Sequence, residues 1–197
     1  NNVTESEVKA QISYQIQKEG ATTAFEPITS FGINTAEPHY LGGNAELKSG
    51  DFALFDFGAR NCRYCADLTR TLVVGRPSYK QRQIYDAVFE ASDVALDMLK
   101  PGIEASEVHR KVVNTIASKG FRKEFTHSTG HALGLAVHDG ATLSNTSKFT
   151  LEEGMVFTIE PGIYLPGFGG VRIEDDVLIR KGDCEILTST GREMLEI

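Results

Sequence analysis

Phe52-Ala53-Leu54-Phe55-Asp56-Phe57 is an apolar run broken by one acid, set between a turn at Ser49-Gly50 and Gly58. Its length and composition predict a buried strand, and a bare carboxylate inside such a strand costs too much to bury without a partner or a metal. A turn around Gly58 to Asn61 and a strand-like stretch from Asp67 to Val74 then predict a hairpin. Upstream, Thr4 and Glu7 match a capping box, and Val8, Ile12 and Ile16 follow every four residues, which predicts a helix over about 4–19 ended by Gly20. Phe25 to Phe31 is a short strand-like segment leading into a polar loop, Asn34 to Tyr40, that Pro38 keeps irregular. Downstream, Ile84, Val88, Ala91, Ala95 and Leu99 mark one helix from Tyr79 to Leu99, and Val108, Val112 and Ile116 a second before Gly120. Met155 to Ile159, Val171 to Ile179 and Glu185 to Leu187 read as strands. Strands and helices fall in blocks with no repeat, so the predicted class is α+β rather than a wound parallel sheet.

The 197 residues, 41% apolar and 24% charged, can bury one sizeable core, and no stretch is apolar for long enough to form a membrane helix. Twenty basic against 27 acidic residues leave a formal charge of −7, the wrong sign for a nucleic-acid partner. Three cysteines, Cys62, Cys65 and Cys184, are too few and odd in number for a disulfide framework, which points to a reducing compartment and a cytoplasmic location. The start at Asn1-Asn2-Val3-Thr4, with neither an initiator Met nor a signal pattern, is expected of a piece of a longer chain.

Five residues stand where bland ones would be expected: Asp56, Asp67, His131, Glu160 and Glu174. Glu160 closes the apolar strand Met155 to Ile159, and period-two alternation places Arg172, Glu174 and Asp176 on the face opposite Val171 and Ile173. Four carboxylates in one pocket repel by several kcal/mol at about moderate dielectric unless they are protonated or neutralised. Two divalent cations would cancel that charge, and an oxygen-rich shell with one imidazole suits Mn, Co or Zn. A pair of such ions acidifies water enough for attack on an amide carbonyl, so the pattern predicts metal-assisted hydrolysis.

The blocks Asp56 to Ala59, Ala66 to Thr71, His127 to Gly134, Ile159 to Gly162 and Gly170 to Asp175 resemble the signatures of the M24 metallopeptidases, in the branch of Xaa-Pro dipeptidase (prolidase) and aminopeptidase P. The steps of 11, 64, 29 and 14 residues between the five candidate ligands fit that branch rather than methionine aminopeptidase. The resemblance runs from about Thr4 to the end and implies a pita-bread fold: a curved antiparallel sheet with two pairs of outer helices. It implies that residues 1–197 form one catalytic domain, without the N-terminal domain of full-length relatives, which is expected to matter for dimer formation and for closing the pocket. By position, Asp56 resembles the chelator of one metal, His131 and Glu160 ligands of the other, and Asp67 and Glu174 the bridging pair. Glu160 also resembles the residue that steers the proton of the attacking water. His127 and His138 are similar to the histidines that line the substrate and steady the oxyanion, His39 to another active-site histidine, and Arg172 to an arginine that holds neighbouring acids in place.

The implied substrates are di- or short peptides with proline second. Many prolidases carry Glu-x-Pro-Arg after the third histidine of this region, where this chain reads His138-Asp139-Gly140-Ala141-Thr142; the arginine that would grip a dipeptide's carboxylate is missing, so dipeptides and longer peptides both stay open. Ser128 and Ala132 replace glycines common in the family and are expected to narrow the pocket slightly. The rival function is a non-catalytic pita-bread module that binds proteins, since the fold is reused that way; a creatinase-like hydrolase of non-peptide substrates would lack ligands present here. Cys62-Arg63-Tyr64-Cys65 has no second cysteine pair to make a zinc site, Glu152-Glu153 reads as a solvated turn, and Ser128 lacks the strand-turn-helix frame of a serine nucleophile.

Overall fold

The computed structural model describes residues 3–197. Helix α1 (Glu5–Lys18) starts at the expected capping box: the Thr4 hydroxyl accepts from Glu7 N–H while the Glu7 carboxylate accepts from Thr4 N–H at 2.8 Å. Strands β1 (Thr22–Thr23) and β2 (Ile28–Phe31) follow, then a 3-10 turn (Gly32–Ala36) and an irregular loop to β3 (Phe52–Phe57). Strands β4 (Ala59–Asn61), β5 (Tyr64–Cys65) and β6 (Leu68–Val73) complete the first half. Helix α2 (Tyr79–Leu96), opened by a Ser78–Gln81 capping box, buries Ile84, Val88, Ala91 and Ala95 and packs beside α3 (Ala105–Ser118), whose Val108, Val112 and Ile116 are fully buried. Strands β7 (Val156–Ile159), β8 (Gly162–Leu165), β9 (Gly169–Arg172), β10 (Asp175–Ile179) and β11 (Cys184–Ile186) make up the last third.

All strand pairs are antiparallel, in the orders β1-β4-β5, β2-β3-β6, β11-β10-β7 and β8-β9. Bonds outside the ladders join these pieces: Glu174 N–H donates to Thr69 O at 3.1 Å, and Thr71 exchanges two bonds with the Arg172 backbone. The α+β class is as predicted. Around the sheets α2 and α3 form one outer pair, while α1 covers β1 and β2 as the single α-helix on its side among the described residues. No helix among them is long and apolar enough to cross a membrane.

Three local expectations change. The β3–β6 hairpin does not turn at Gly58 to Asn61 but continues through β4 and β5 and reverses at Cys62-Arg63, both with positive φ (48° and 77°). Gly58 serves a different need, since a Cβ there would lie 1.9 Å from Ala66 O. The stretch from Val171 to Ile179 is two strands rather than one, broken at Ile173-Glu174. The Val8, Ile12 and Ile16 stripe is only half-buried, and the one fully buried residue of α1 is Glu5.

Candidate metal centre

One cavity of about 300 Å³ collects Asp56, Asp67, His131, Glu160, Glu174, His39, His127, His138 and Arg172. Asp56 is the last residue but one of β3, and Asp67 stands at the entry to β6. His131 lies on a segment bridged to β7 through Ala132 and Phe157, Glu160 follows β7, and Glu174 fills the break between β9 and β10. The His131 segment approaches so closely that a Cβ on Gly130 would sit 1.8 Å from Thr158 O, so only glycine fits there. His39 and His138 are exposed at the mouth, His127 and Glu160 are half-buried, and the other five are buried.

The cluster is acidic and poorly supplied with donors. His131 Nε2 lies 3.5 Å from Glu160 Oε1 and 3.8 Å from Asp67 Oδ2, and one ligand atom each of Asp67, His131 and Glu174 falls within 4.8 Å of the others. The His131 Nδ1 hydrogen bond to Ala132 O, at 3.2 Å, assigns the ring proton to that nitrogen and leaves the Nε2 lone pair facing the carboxylates. Buried Asp56 Oδ1 and Asp67 Oδ1 have no hydrogen-bond partner. Burial, with Asp56 and Glu160 nearby, pushes Asp67 up to about 9; burial raises Glu160 to about 7 and drives Glu174 well above the carboxylate range. Burial also lowers His131, so its imidazole is held neutral. Orphaned carboxylate oxygens, acids pressed to keep protons and a neutral imidazole aimed among them are the donor set that divalent cations fit, with the ions taking the protons' place.

Arg172 braces this cluster from one side. Its Nη2 pairs with Asp56 Oδ2, its Nε donates to Thr69 Oγ1 at 3.0 Å, and its Nη1 donates to Tyr164 Oη at 2.8 Å and Pro38 O at 3.3 Å. Thr69 Oγ1 in turn donates to Glu174 Oε2, and Thr158 Oγ1 donates to Glu160 Oε1 at 3.2 Å. Tyr164 Oη lies 2.9 Å from His127 Nε2, and Ser128 O lies 2.8 Å from His127 Nδ1. Burial and Arg172 lower His127 to about 4, so the ring is neutral, with Nδ1–H donating to Ser128 O and Nε2 accepting from the tyrosine. Asp176, read from alternation as sharing a face with Arg172 and Glu174, does not line the cavity; its Oδ2 accepts from Asp67 N–H at 2.9 Å.

Sequence reasoning passed over Thr69, Thr158 and Tyr164. Two carried a signal: Thr69 lies two residues after Asp67 and Thr158 two before Glu160, the positions that alternate onto the same face, whereas Tyr164 lies beyond the break at Glu160-Pro161. Cys62 is exposed and Cys65 buried, and the pair belongs to the hairpin tip, outside the cavity lining.

Antiparallel sheets with outer helices, enclosing buried acids and a buried imidazole that could hold a metal ion, define the class of pita-bread proteins. The family model described as "Metallopeptidase family M24" matches residues 1–181, and the chain belongs to that family. It is 44% identical over 192 residues to the Xaa-Pro dipeptidase of Pyrococcus horikoshii, covering 97% of this chain and 55% of that protein. Among solved structures it resembles the prolidase from Pyrococcus furiosus (TM-score 0.95, 41% identity, 96% of this chain and 57% of that one). It also resembles the X-Pro aminopeptidase from Thermotoga maritima (TM-score 0.97, 38% identity, 100% of this chain and 56% of that one). The chain spans about half the length of these relatives.

Proposed function

We propose that this chain is the catalytic part of a dinuclear metallopeptidase that cleaves the bond before proline at the N terminus of dipeptides or short peptides. Asp56 would hold one ion, His131 and Glu160 the other, and Asp67 and Glu174 would bridge them. The observation that carries this reading is the pair of buried, partnerless oxygens on Asp56 and Asp67 beside the lone pair of His131. Bound divalent cations supply the Lewis acidity that polarises the scissile carbonyl and acidifies the attacking water.

The chain's own residues do the rest. The Glu160 carboxylate, anchored through Oε1 by Thr158, takes the proton released by that water and delivers it to the prolyl nitrogen as the bond breaks. A proline nitrogen carries no proton in the bond, so this delivery is what turns it into a viable leaving amine. Phe25, Ile28 and Val137 give the cavity an apolar wall for the pyrrolidine ring, and His39 and His138 stand at the mouth where substrate enters. Arg172, paired with Asp56, holds that carboxylate in place.

The test is metal content after purification, followed by Mn- or Co-dependent cleavage of Ala-Pro and Ala-Pro-Ala by the full chain. Metal uptake with proline or Pro-Ala release is expected, and the ratio of the two rates decides whether Thr142, where many prolidases have arginine, disfavours dipeptides. A well-folded protein that takes up no divalent ion and cleaves neither peptide would make the protein-binding module the better reading.

A further inference from the structure

Helix α1 buries one residue completely, and that residue is a carboxylate: Glu5, 0% exposed. Its two oxygens collect four uncharged donors. Oε1 accepts from Phe31 N–H at 2.8 Å and Asn34 Nδ2 at 3.0 Å, and Oε2 accepts from Tyr40 Oη at 3.2 Å and Ala45 N–H at 3.4 Å. Those donors run from the last residue of β2 through the 3-10 turn to the far end of the loop, a segment (31–45) that carries His39 to the mouth of the cavity.

The backbone repeats the attachment. Glu5 N–H donates to Ala45 O and Ser6 N–H to Gly43 O, both at 3.1 Å, and Asn34 Nδ2 also reaches Tyr40 Oη at 3.0 Å. Gly43 leaves the room for this, since a Cβ there would stand 2.6 Å from Tyr40 Oη and 3.2 Å from Glu5 Oε2. Burial and the nearby Glu5 charge raise Tyr40, so its phenol stays a donor at neutral pH. Between two of these anchor points, Pro38 O accepts from Arg172 Nη1, tying the residue beside His39 to the guanidinium that pairs with Asp56.

An apolar side chain would fill this space without the desolvation cost of a carboxylate. What an apolar residue lacks is four directed acceptor positions, and those fix a loop that has no ladder of its own. We infer that Glu5 is a positioning residue for catalysis, setting the place of His39 through the 31–45 loop while leaving metal binding untouched. The inference rests on the peptidase reading of the cavity given above.

A double-mutant cycle on the full chain with Mn separates this role from plain structural support. Glu5→Ala is expected to lower kcat/KM for an Xaa-Pro peptide by about 10- to 100-fold, the scale of an ångström-sized misplacement. In a His39→Ala background the same change should cost no more than about 2-fold, because the residue through which it acts is gone. Mn affinity should match the parent in each variant. Where Glu5→Ala does not fold, Glu5→Gln serves in its place: it keeps the shape, loses one acceptor, and should show a smaller loss with the same dependence on His39. Equal losses in the two backgrounds, or a parallel loss of Mn affinity, overturn the inference. Amide hydrogen exchange gives a readout independent of turnover: Glu5→Gln should speed exchange over 31–45 but not in α2, and an unchanged loop overturns the inference even if no peptide is cleaved. A parent protein inactive on every Xaa-Pro peptide, by contrast, defeats the peptidase reading.

Discussion

The fold presses acids of the cavity toward their protonated form. Asp67 and Glu174 each have their protonated form favoured by burial and by their acidic neighbours, and Asp67 Oδ1 receives no donor. On the proposed assignment, removing one of them takes away a metal ligand rather than a brace. Since partners outside the ligand shell already cost about 10–100-fold when lost, Asp67→Ala or Glu174→Ala should cut turnover by roughly a thousandfold or more and reduce bound Mn per chain. Cys62→Ala, on the exposed hairpin tip, should leave both unchanged. Steady-state rates with metal analysis on the three variants check this, and equal activity in all of them would overturn the ligand assignment. The five candidate ligands were legible because each acid or imidazole interrupts an apolar or glycine-rich frame within a few residues. Thr69 and Arg172 were harder to read together, because their shared bond spans 103 positions and no local pattern reports it. Glu5 gave no sign of its role for the same reason: its partners lie 26 to 40 residues away, and nearby sequence shows only an amphipathic helix.

The start of α1 was plainly legible, because a capping box is local chemistry and Thr4 and Glu7 make its bonds within three residues; Ser78 and Gln81 form the same box at α2, where only the apolar stripe was read. The end of the long hairpin was not legible. Gly58 looks like a turn residue, but its lack of a Cβ serves the close pass of Ala66 O, and the reversal is made by Cys62-Arg63, two residues with no preference for left-handed backbone. The break at Ile173-Glu174 was equally hidden, because alternation continues through it while Glu174 N–H leaves the ladder for Thr69 O. A tight hairpin turn with positive φ at both central positions favours Asn-Gly. Replacing Cys62 by Asn and Arg63 by Gly should therefore relieve strain and stabilise the chain by about 1 kcal/mol. That corresponds to a rise of roughly 2–4 °C in Tm for a chain of this size. Cys65 N–H still donates to Gly134 O in the segment leading to His138, so peptidase activity should not change. Thermal unfolding of the double variant decides it, and a lower Tm would show that the native turn is not strained.

Folding this chain gathers several of its acids into one interior, so metal and fold are thermodynamically linked. A carboxyl whose folded pKa exceeds its unfolded value binds more protons folded than unfolded, so its contribution to stability falls as pH rises from the unfolded value through the folded one. For Glu160 that loss runs up to about 7 and for Asp67 up to about 9, with Asp176, also raised to about 7 by burial, acting in the same direction. His127, lowered to about 4, has the opposite sign, because its unfolded form takes up protons below about 6.5 and stability therefore rises with pH across that range. The two trends oppose each other in acid and separate above pH 6.5, where the histidine no longer contributes. Between about pH 6.5 and 9, metal-free protein should lose stability as Asp67 is forced to ionise. Divalent ions reverse this, because they bind the ionised ligands: their apparent affinity should rise over the same window, with protons released on binding. The expected observation is a gap in Tm between Mn-loaded and chelator-treated protein that widens from pH 6.5 to 8.5 by roughly several degrees. Two Tm curves that stay parallel across that window would mean that the ionising carboxylates and the bound ion do not share a site, and the proposed ligand set would have to be abandoned.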